Sequence, residues 1–301
     1  MVKLDNRSPT ASSDKPKPGG SPKPGGDAKA ADDPKALDDA SRELLIDVPA
    51  DGVLMLTLNR PAARNALNLS LLQSLAGAIA EAGQAKRIRA IVLRGSGPAF
   101  CAGHDLNELR GARRQGTGGL NVLRETFERC SALMLAIRRC PKPVIAQVHG
   151  MATAAGCQLV ASADLAIAAD TARFATPGVN IGLFCSTPQV ALSRAVGRKQ
   201  AVEMLLTGDA VSAAHAAQIG LINRCVEADR LEADTLALAR KIAEKPAAVV
   251  ALGKRGFQDQ LELDPEQAYA LTTSLMIQNM MMPEADEGIA AFLEKRPPHW
   301  P

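Results

Sequence analysis

Short apolar runs alternating with helical segments limit what this chain can fold into more than any other feature of its sequence. Residues 90–93 (AIVL) are apolar without a break, as expected of a strand covered on both faces. Strand-like stretches recur at 143–148 and 164–169, and helical spacing marks 122–139 and the region near 155–162. A Pro-Lys-Pro break at 141–143 separates the first of these helices from the strand after it. Upstream, Val53, Met55 and Thr57 alternate with Leu54, Leu56 and Leu58 in a strand that ends at Asn59, Arg60 and Pro61. A helix is predicted over 70–83, with Ser70 as its N-cap. Strands alternating with helices predict an α/β fold with right-handed crossovers and a largely parallel sheet.

Beyond residue 187 strand signals nearly vanish, and helices are predicted at 187–206, 212–219, 229–244, 246–258, 265–280 and 284–294. The expected organisation is a domain over 41–301, with an α/β core to about 226 and a helical C-terminal region over 227–298. That region carries Leu275, Met276, Met280, Met281 and Met282 on amphipathic helices. Helices at a chain end with no sheet to cover pack readily on another subunit, so oligomerisation is expected. Residues 1–40 contain PKPGG twice and hold six of the 19 prolines and no aromatic residue, so they read as a disordered tail. Their seven Asp and repeated helix-breakers argue against a mitochondrial transit peptide.

Charge and spacing exclude several function classes. With 35 basic and 32 acidic side chains and 3% aromatic residues, neither the field nor the stacking platforms of a nucleic-acid binder are present. Gln147, His149, Gln158 and Asp164 interrupt the most apolar region, so no membrane span is expected. The six cysteines lack CxxC or zinc-finger spacing and read as small buried thiols in a reducing compartment, here the cytoplasm. Histidines 104, 149, 215 and 299 have no metal-ligand spacing, so no metal site is expected. Phosphate-loop, dinucleotide, serine-hydrolase and zincin motifs are all absent from the sequence.

Two turns of small residues follow strands: Ala99 to Asp105 (AFCAGHD) and His149 to Gln158 (HGMATAAGCQ). Small side chains let backbone N–H groups approach a ligand, and a helix starting there adds unpaired donors at its positive end. Two such turns can converge on one oxygen that becomes negative during reaction, which is the geometry of an oxyanion hole.

The order of segments is more specific than either turn. NRPAARNALN at 59–68, AIVLRGSGPAFCAGHDLNEL at 90–109, PKPVIAQVHGMATAAGCQLVASADLAIAA at 141–169 and FATPGVNIGL at 174–183 together resemble the crotonase, or enoyl-CoA hydratase/isomerase, superfamily. LLTGDAVSAAHAAQIGLINRCV at 205–226 and EGIAAFLEKRPP at 287–298 extend the resemblance over residues 44–298. It implies a spiral of ββα units with a helical C-terminal trimerisation region, an acyl-CoA thioester substrate, and a homotrimer or dimer of trimers. No separate cofactor is implied, because coenzyme A is part of the substrate.

The resemblance places the two oxyanion donors on the backbone N–H of His104 and of Ala155, where relatives usually carry glycine; alanine presents the same N–H if its φ is negative. The hydratase glutamates correspond here to Gln158 and Gly178. Gln158 can hold a water but cannot take its proton, and Gly178 can do neither. For coenzyme A the resemblance implies Arg64 and Ala66 at the entrance, Ala102 by the adenine, and Lys295 and Arg296 at the phosphates. A lysine common three residues after the first donor is Asn107 here. The expected activity is therefore enolate-stabilising chemistry on an acyl-CoA thioester. The alternatives are decarboxylation of methylmalonyl-type CoA esters, which needs no water-activating base, and acyl-CoA binding without catalysis. His104 could add an imidazole acid or base; Asp105 reads as a helix cap; Cys185 and Ser186 lie near a position where some relatives carry an acid.

Overall fold

The computed structural model describes residues 42–301, so the expected tail at 1–40 lies outside the described residues. Its first two strands, β1 (Leu44–Ala50) and β2 (Val53–Leu58), form an antiparallel hairpin. From β2 the sheet runs in parallel through β3 (Ala90–Gly95), β5 (Val144–Val148), β7 (Leu165–Ala169) and β10 (Arg224–Val226), in the order β1-β2-β3-β5-β7-β10. Every residue of β2 and β5 is buried, as unbroken apolar runs require when both faces are covered.

Three strands of this sheet each pass through a turn into a strand of a second, smaller sheet. β3 leads to β4 (Ala99–Cys101), β5 to β6 (Met151–Thr153) and β7 to β8 (Arg173–Ala175); β9 (Val211–Ser212) closes the sheet in the order β4-β6-β8-β9. A helix follows each pair, which gives the repeated ββα spiral. Strands of two or three residues carry no readable period, so none of these segments reads as a strand in the sequence.

One face of the large sheet is covered by α1 (Leu69–Gln84), α3 (Thr117–Arg139) and α4 (Ala155–Ser162), around a core that includes Leu56, Leu71, Leu93, Leu133 and Leu159. A shorter helix, α2 (Leu106–Arg114), precedes α3. The N-cap of α1 is Asn68 rather than Ser70: its side chain accepts the Leu71 N–H at 2.8 Å from extended backbone. The helix expected over 187–206 is two, α5 (Pro188–Ala195) and α6 (Arg198–Thr207), separated at Val196 and Gly197. They are followed by α7 (Ala213–Gln218).

The C-terminal helices are α8 (Leu231–Ala243), α9 (Ala247–Gln260), α10 (Pro265–Met280) and α11 (Pro283–Leu293). α8 differs from expectation because it does have a sheet to cover. Its Ala239, Leu236 and Ile242 pack on Val53, Met55, Val92 and Ile145, closing the other face. α10 buries no residue and α11 buries Ala291, while Met281 and Phe292 are each 82% exposed. No helix among the described residues is long and apolar enough to cross a membrane.

Candidate active site

Both small-residue turns lie where parallel strands of the large sheet end. In the first, Gly103 has φ +93, a conformation that favours glycine. The segment after β2 holds this turn in place: Ala102 N–H donates to Arg64 O at 3.0 Å, Leu67 N–H to Gly103 O at 2.7 Å and Asp105 N–H to Leu67 O at 3.0 Å. The His104 N–H between them pairs with no acceptor among the described residues.

Asp105 is committed to structure. Its Oδ1 caps α2 by accepting the N–H groups of Asn107 and Glu108, and its Oδ2 meets the Arg60 guanidinium at 3.0 Å. Burial would raise its pKa, but Arg60 and the two N–H groups hold it below the usual carboxylate range. Arg60 also bonds Ala66 O and reaches Glu43 at 2.9 Å, so one guanidinium ties β1 to the turn. Arg60 stands inside the NRPAARNALN segment, but only its three partners show this role.

In the second turn the unusual backbone belongs to Ala154, with φ 50 and ψ −116, and not to Ala155. Such an angle on a residue with a Cβ costs on the order of 1–3 kcal/mol. Ala155 is the first residue of α4, a position whose N–H has no partner inside a helix, and none is supplied here. The two turns meet directly: a Cβ added to Gly103 would lie 3.0 Å from Ala154 Cβ and 3.5 Å from the Ala155 nitrogen. A Cβ on Gly156 would lie 2.1 Å from Cys101 O, so glycine is required for α4 to lie this close to β4.

Gln158, on the first turns of α4, is buried, and its Oε1 accepts a weak bond from the Cys130 thiol of α3 at 3.9 Å. Burial pushes the Cys130 thiol up to about 12, which keeps it protonated. Gly178 sits in a short 3₁₀ turn (Pro177–Ile181), where an added Cβ would lie 3.1 Å from Cys185 Sγ and 3.0 Å from Leu183 O. Cys185 thus takes the volume a longer residue at 178 would use, and burial raises its thiol pKa. Ser186 is exposed and donates only a long bond to Phe184 O.

The imidazole of His104 lies edge-on to Phe127 of α3, with ring centroids 5.2 Å apart and an interplanar angle of 89°. Neither ring nitrogen has a hydrogen-bond partner, although both are buried. Burial, offset only in part by the Leu67 backbone, lowers the pKa from 6.5 to about 4, so the ring is neutral at pH 7. The sign follows: below pH 6.5 the unfolded chain takes up the proton more readily, and this group removes stability as pH falls towards about 4.

A cavity of about 1370 Å³ has Gln158 and Ser186 in its wall and is lined by apolar groups from Met134, Leu135, Val160, Val190, Phe257 and Leu261. A separate cavity of about 510 Å³ lies by Gly52 and Arg89, where β3 begins, and holds none of the sequence-derived site residues. Of the coenzyme A candidates, Arg64, Ala66 and Ala102 come together beside the first turn, with Arg64 exposed and Ala66 buried. Among the described residues no hydrogen bond or ion pair joins Lys295 or Arg296 to them. Arg296 pairs with Glu287 and Glu294, and the chain end is fastened by Trp300 Nε1 donating to Glu244 O at 3.1 Å. Arg296 is therefore not the free cation the sequence suggested, because two carboxylates two and nine residues away in the chain's own terminal helix region already neutralise it.

The fold that carries these turns has counterparts among known proteins. The chain is 47% identical over 250 residues to mouse enoyl-CoA hydratase domain-containing protein 3, mitochondrial, spanning 83% of this chain and 82% of that protein. The crystal structure of an enoyl-CoA hydratase from Mycobacterium smegmatis matches with a TM-score of 0.82 at 52% identity, over 86% of this chain and 99% of the other. The structure of human enoyl-CoA hydratase domain-containing protein 3 matches with a TM-score of 0.82 at 46% identity, over 86% and 100%. A sequence model of the enoyl-CoA hydratase/isomerase family covers residues 49–301, and with the ββα spiral and the paired turns in place, the chain belongs to that family.

Proposed function

We propose that this chain is an enzyme that stabilises the enolate of an acyl-CoA thioester between the backbone N–H groups of His104 and Ala155. The observation that carries this reading is the pair of unpaired donors on turns that touch at Gly103 and Ala154. In this reading Gln158 positions a water or acyl substituent, Arg64, Ala66 and Ala102 line the coenzyme A entrance, and the apolar cavity takes the acyl chain. The reaction class is that of a hydratase-like lyase, with no metal or separate cofactor in the chemistry. The catalytic unit is the domain over 41–301.

A second reading, decarboxylation of a methylmalonyl-type CoA ester, is favoured by Gln158 and Gly178, since neither can deprotonate water. Side-by-side assays of crotonyl-CoA hydration and methylmalonyl-CoA decarboxylation test both. Turnover of either supports enolate stabilisation, and binding without turnover of either overturns it in favour of a non-catalytic acyl-CoA-binding protein.

The exposed Met276, Ile277, Met281 and Phe292 of the last two helices and the turn between them support assembly into a homotrimer or a dimer of trimers. Light scattering is expected to give three or six copies per particle, and a monomer would refute it. In such an assembly Lys295 would serve a neighbouring copy's coenzyme A. The six unbridged thiols support a reducing compartment, which we take as the cytoplasm. Organelle fractionation separates this from the compartment in the name of the mouse relative.

A further inference from the structure

We infer that the imidazole of His104 carries the proton when water adds to an enoyl-CoA thioester at this site. This rests on the enolate reading above and adds to it the group that moves the proton.

The following candidate side chains of the site are less suited to it. Gln158 has an amide, Gly178 has no side chain, and Asp105 is held by Arg60 and two backbone N–H groups. The surrounding thiols of Cys101, Cys130, Cys157 and Cys185 are all buried, and burial disfavours their ionised form. His104 differs from each of these. Both its ring nitrogens are buried with no partner in hydrogen-bond geometry, the Leu67 backbone offsetting that burial only in part, and polar atoms left so point to a partner that arrives with the ligand.

Its position relative to Gln158 follows from α3. The His104 ring touches Phe127 and the Gln158 amide touches Cys130. Those two residues are three apart on the helix, so they share one face at a rise of about 4.5 Å. The imidazole and the amide therefore address one stripe of α3. The backbone N–H of His104 itself fixes how far its ring lies from the thioester oxygen.

The step balances without an oxidant or reductant. An imidazole nitrogen accepts a proton from water as the water oxygen bonds to C3 of the enoyl group. The C2–C3 π pair shifts towards C1, and the charge rests on the thioester oxygen between the two N–H groups. The imidazolium then returns the proton to C2 as the C=O bond re-forms, leaving a 3-hydroxyacyl thioester and a neutral ring.

The test compares the wild-type chain with His104→Gln, which keeps hydrogen-bonding capacity but cannot carry a proton at neutral pH. Crotonyl-CoA hydration and calorimetric binding of the unreactive butyryl-CoA are both measured. The expected result is a kcat lowered about 10²- to 10⁴-fold with the butyryl-CoA Kd changed less than about threefold. A variant that keeps more than about a tenth of the wild-type kcat overturns the inference while leaving the enolate reading intact. Should the variant not fold, the wild-type pH profile decides: the acid limb of kcat should move with temperature as an imidazole does, and a limb that stays fixed, as a carboxylate's does, overturns it. A wild-type chain that decarboxylates methylmalonyl-CoA but does not hydrate crotonyl-CoA also overturns it and keeps the enolate reading. Turnover of neither removes both.

Discussion

Ala155→Pro is expected to lower kcat/KM by about 10²- to 10³-fold, the usual cost of removing one oxyanion donor. Ala155 is the first residue of α4, so the N–H that proline removes has no partner within the helix, although proline also strains the Ala154 backbone before it (φ 50) and disturbs the turn. The substitution therefore deletes the donor, and the ring carbon bonded to nitrogen also occupies the place where the thioester oxygen would sit. Ala155→Gly, which keeps the N–H, should stay within about threefold of wild type and control for the loss of the methyl group. Circular dichroism should show the helical content unchanged in both variants. If the proline variant loses less than about tenfold, Ala155 is not a donor and the hole must be sought elsewhere on α4.

The largest expected effect on stability lies outside the site. Lys254 of α9 donates to Ile137 O at 3.0 Å, Lys142 O at 3.1 Å and Asp164 Oδ2 at 2.6 Å, with its side chain 8% exposed. Asp164 also accepts the Val144 N–H at the start of β5. One ammonium group thus joins α9, the end of α3 and the starts of β5 and β7, while α9 itself buries only Leu252 and Gly256. Lys254→Met should cost about 3–5 kcal/mol, because it leaves a carboxylate buried without its cation. The midpoint of thermal unfolding should drop on the order of 10 °C.

The deficit should also depend on pH with a definite sign. Burial already raises the Asp164 pKa against the pull of Lys254, and losing the cation raises it further. An acid whose folded pKa is raised is tolerated when protonated and costs stability as pH climbs through that value. The Met variant should therefore approach wild type in acid and fall furthest behind above neutrality. A deficit under about 1 kcal/mol, or one that does not vary with pH, would show that the pair does not anchor α9.

Particular elements show how much of this was legible beforehand. β2, β3, β5 and β7 were readable because their apolar runs must be covered on both faces, and the start of α4 because a turn of small residues precedes it. The cap of α1 moved two residues because Asn68 and Ser70 are about equal as caps. The choice fell to Asn68, whose preceding residue, Leu67, is pinned to Gly103 across the fold. The strands of the small sheet were hidden because two or three residues show no period. The closure of the second sheet face by α8 was hidden because an amphipathic helix does not reveal what its apolar stripe covers.

For the site, sequence supplied the identities: two small-residue turns, a glutamine and a glycine at the positions where the family resemblance implies glutamates, and a histidine after the first glycine. Those identities fix which proton transfers are impossible, since an amide and a hydrogen atom cannot act as bases. Tertiary structure decided the rest. It joined Gly103 to Ala154, assigned Asp105 and Arg296 to ion pairs, filled the space beside Gly178 with Cys185, and left the His104 ring without a partner against Phe127. The physical reason is the range of the interactions. Helix, strand and turn preferences act between near neighbours and are written locally. The state of a donor, a carboxylate or an imidazole depends on groups that folding brings from outside its own helix or strand, as with Arg60 and Asp105, 45 residues apart.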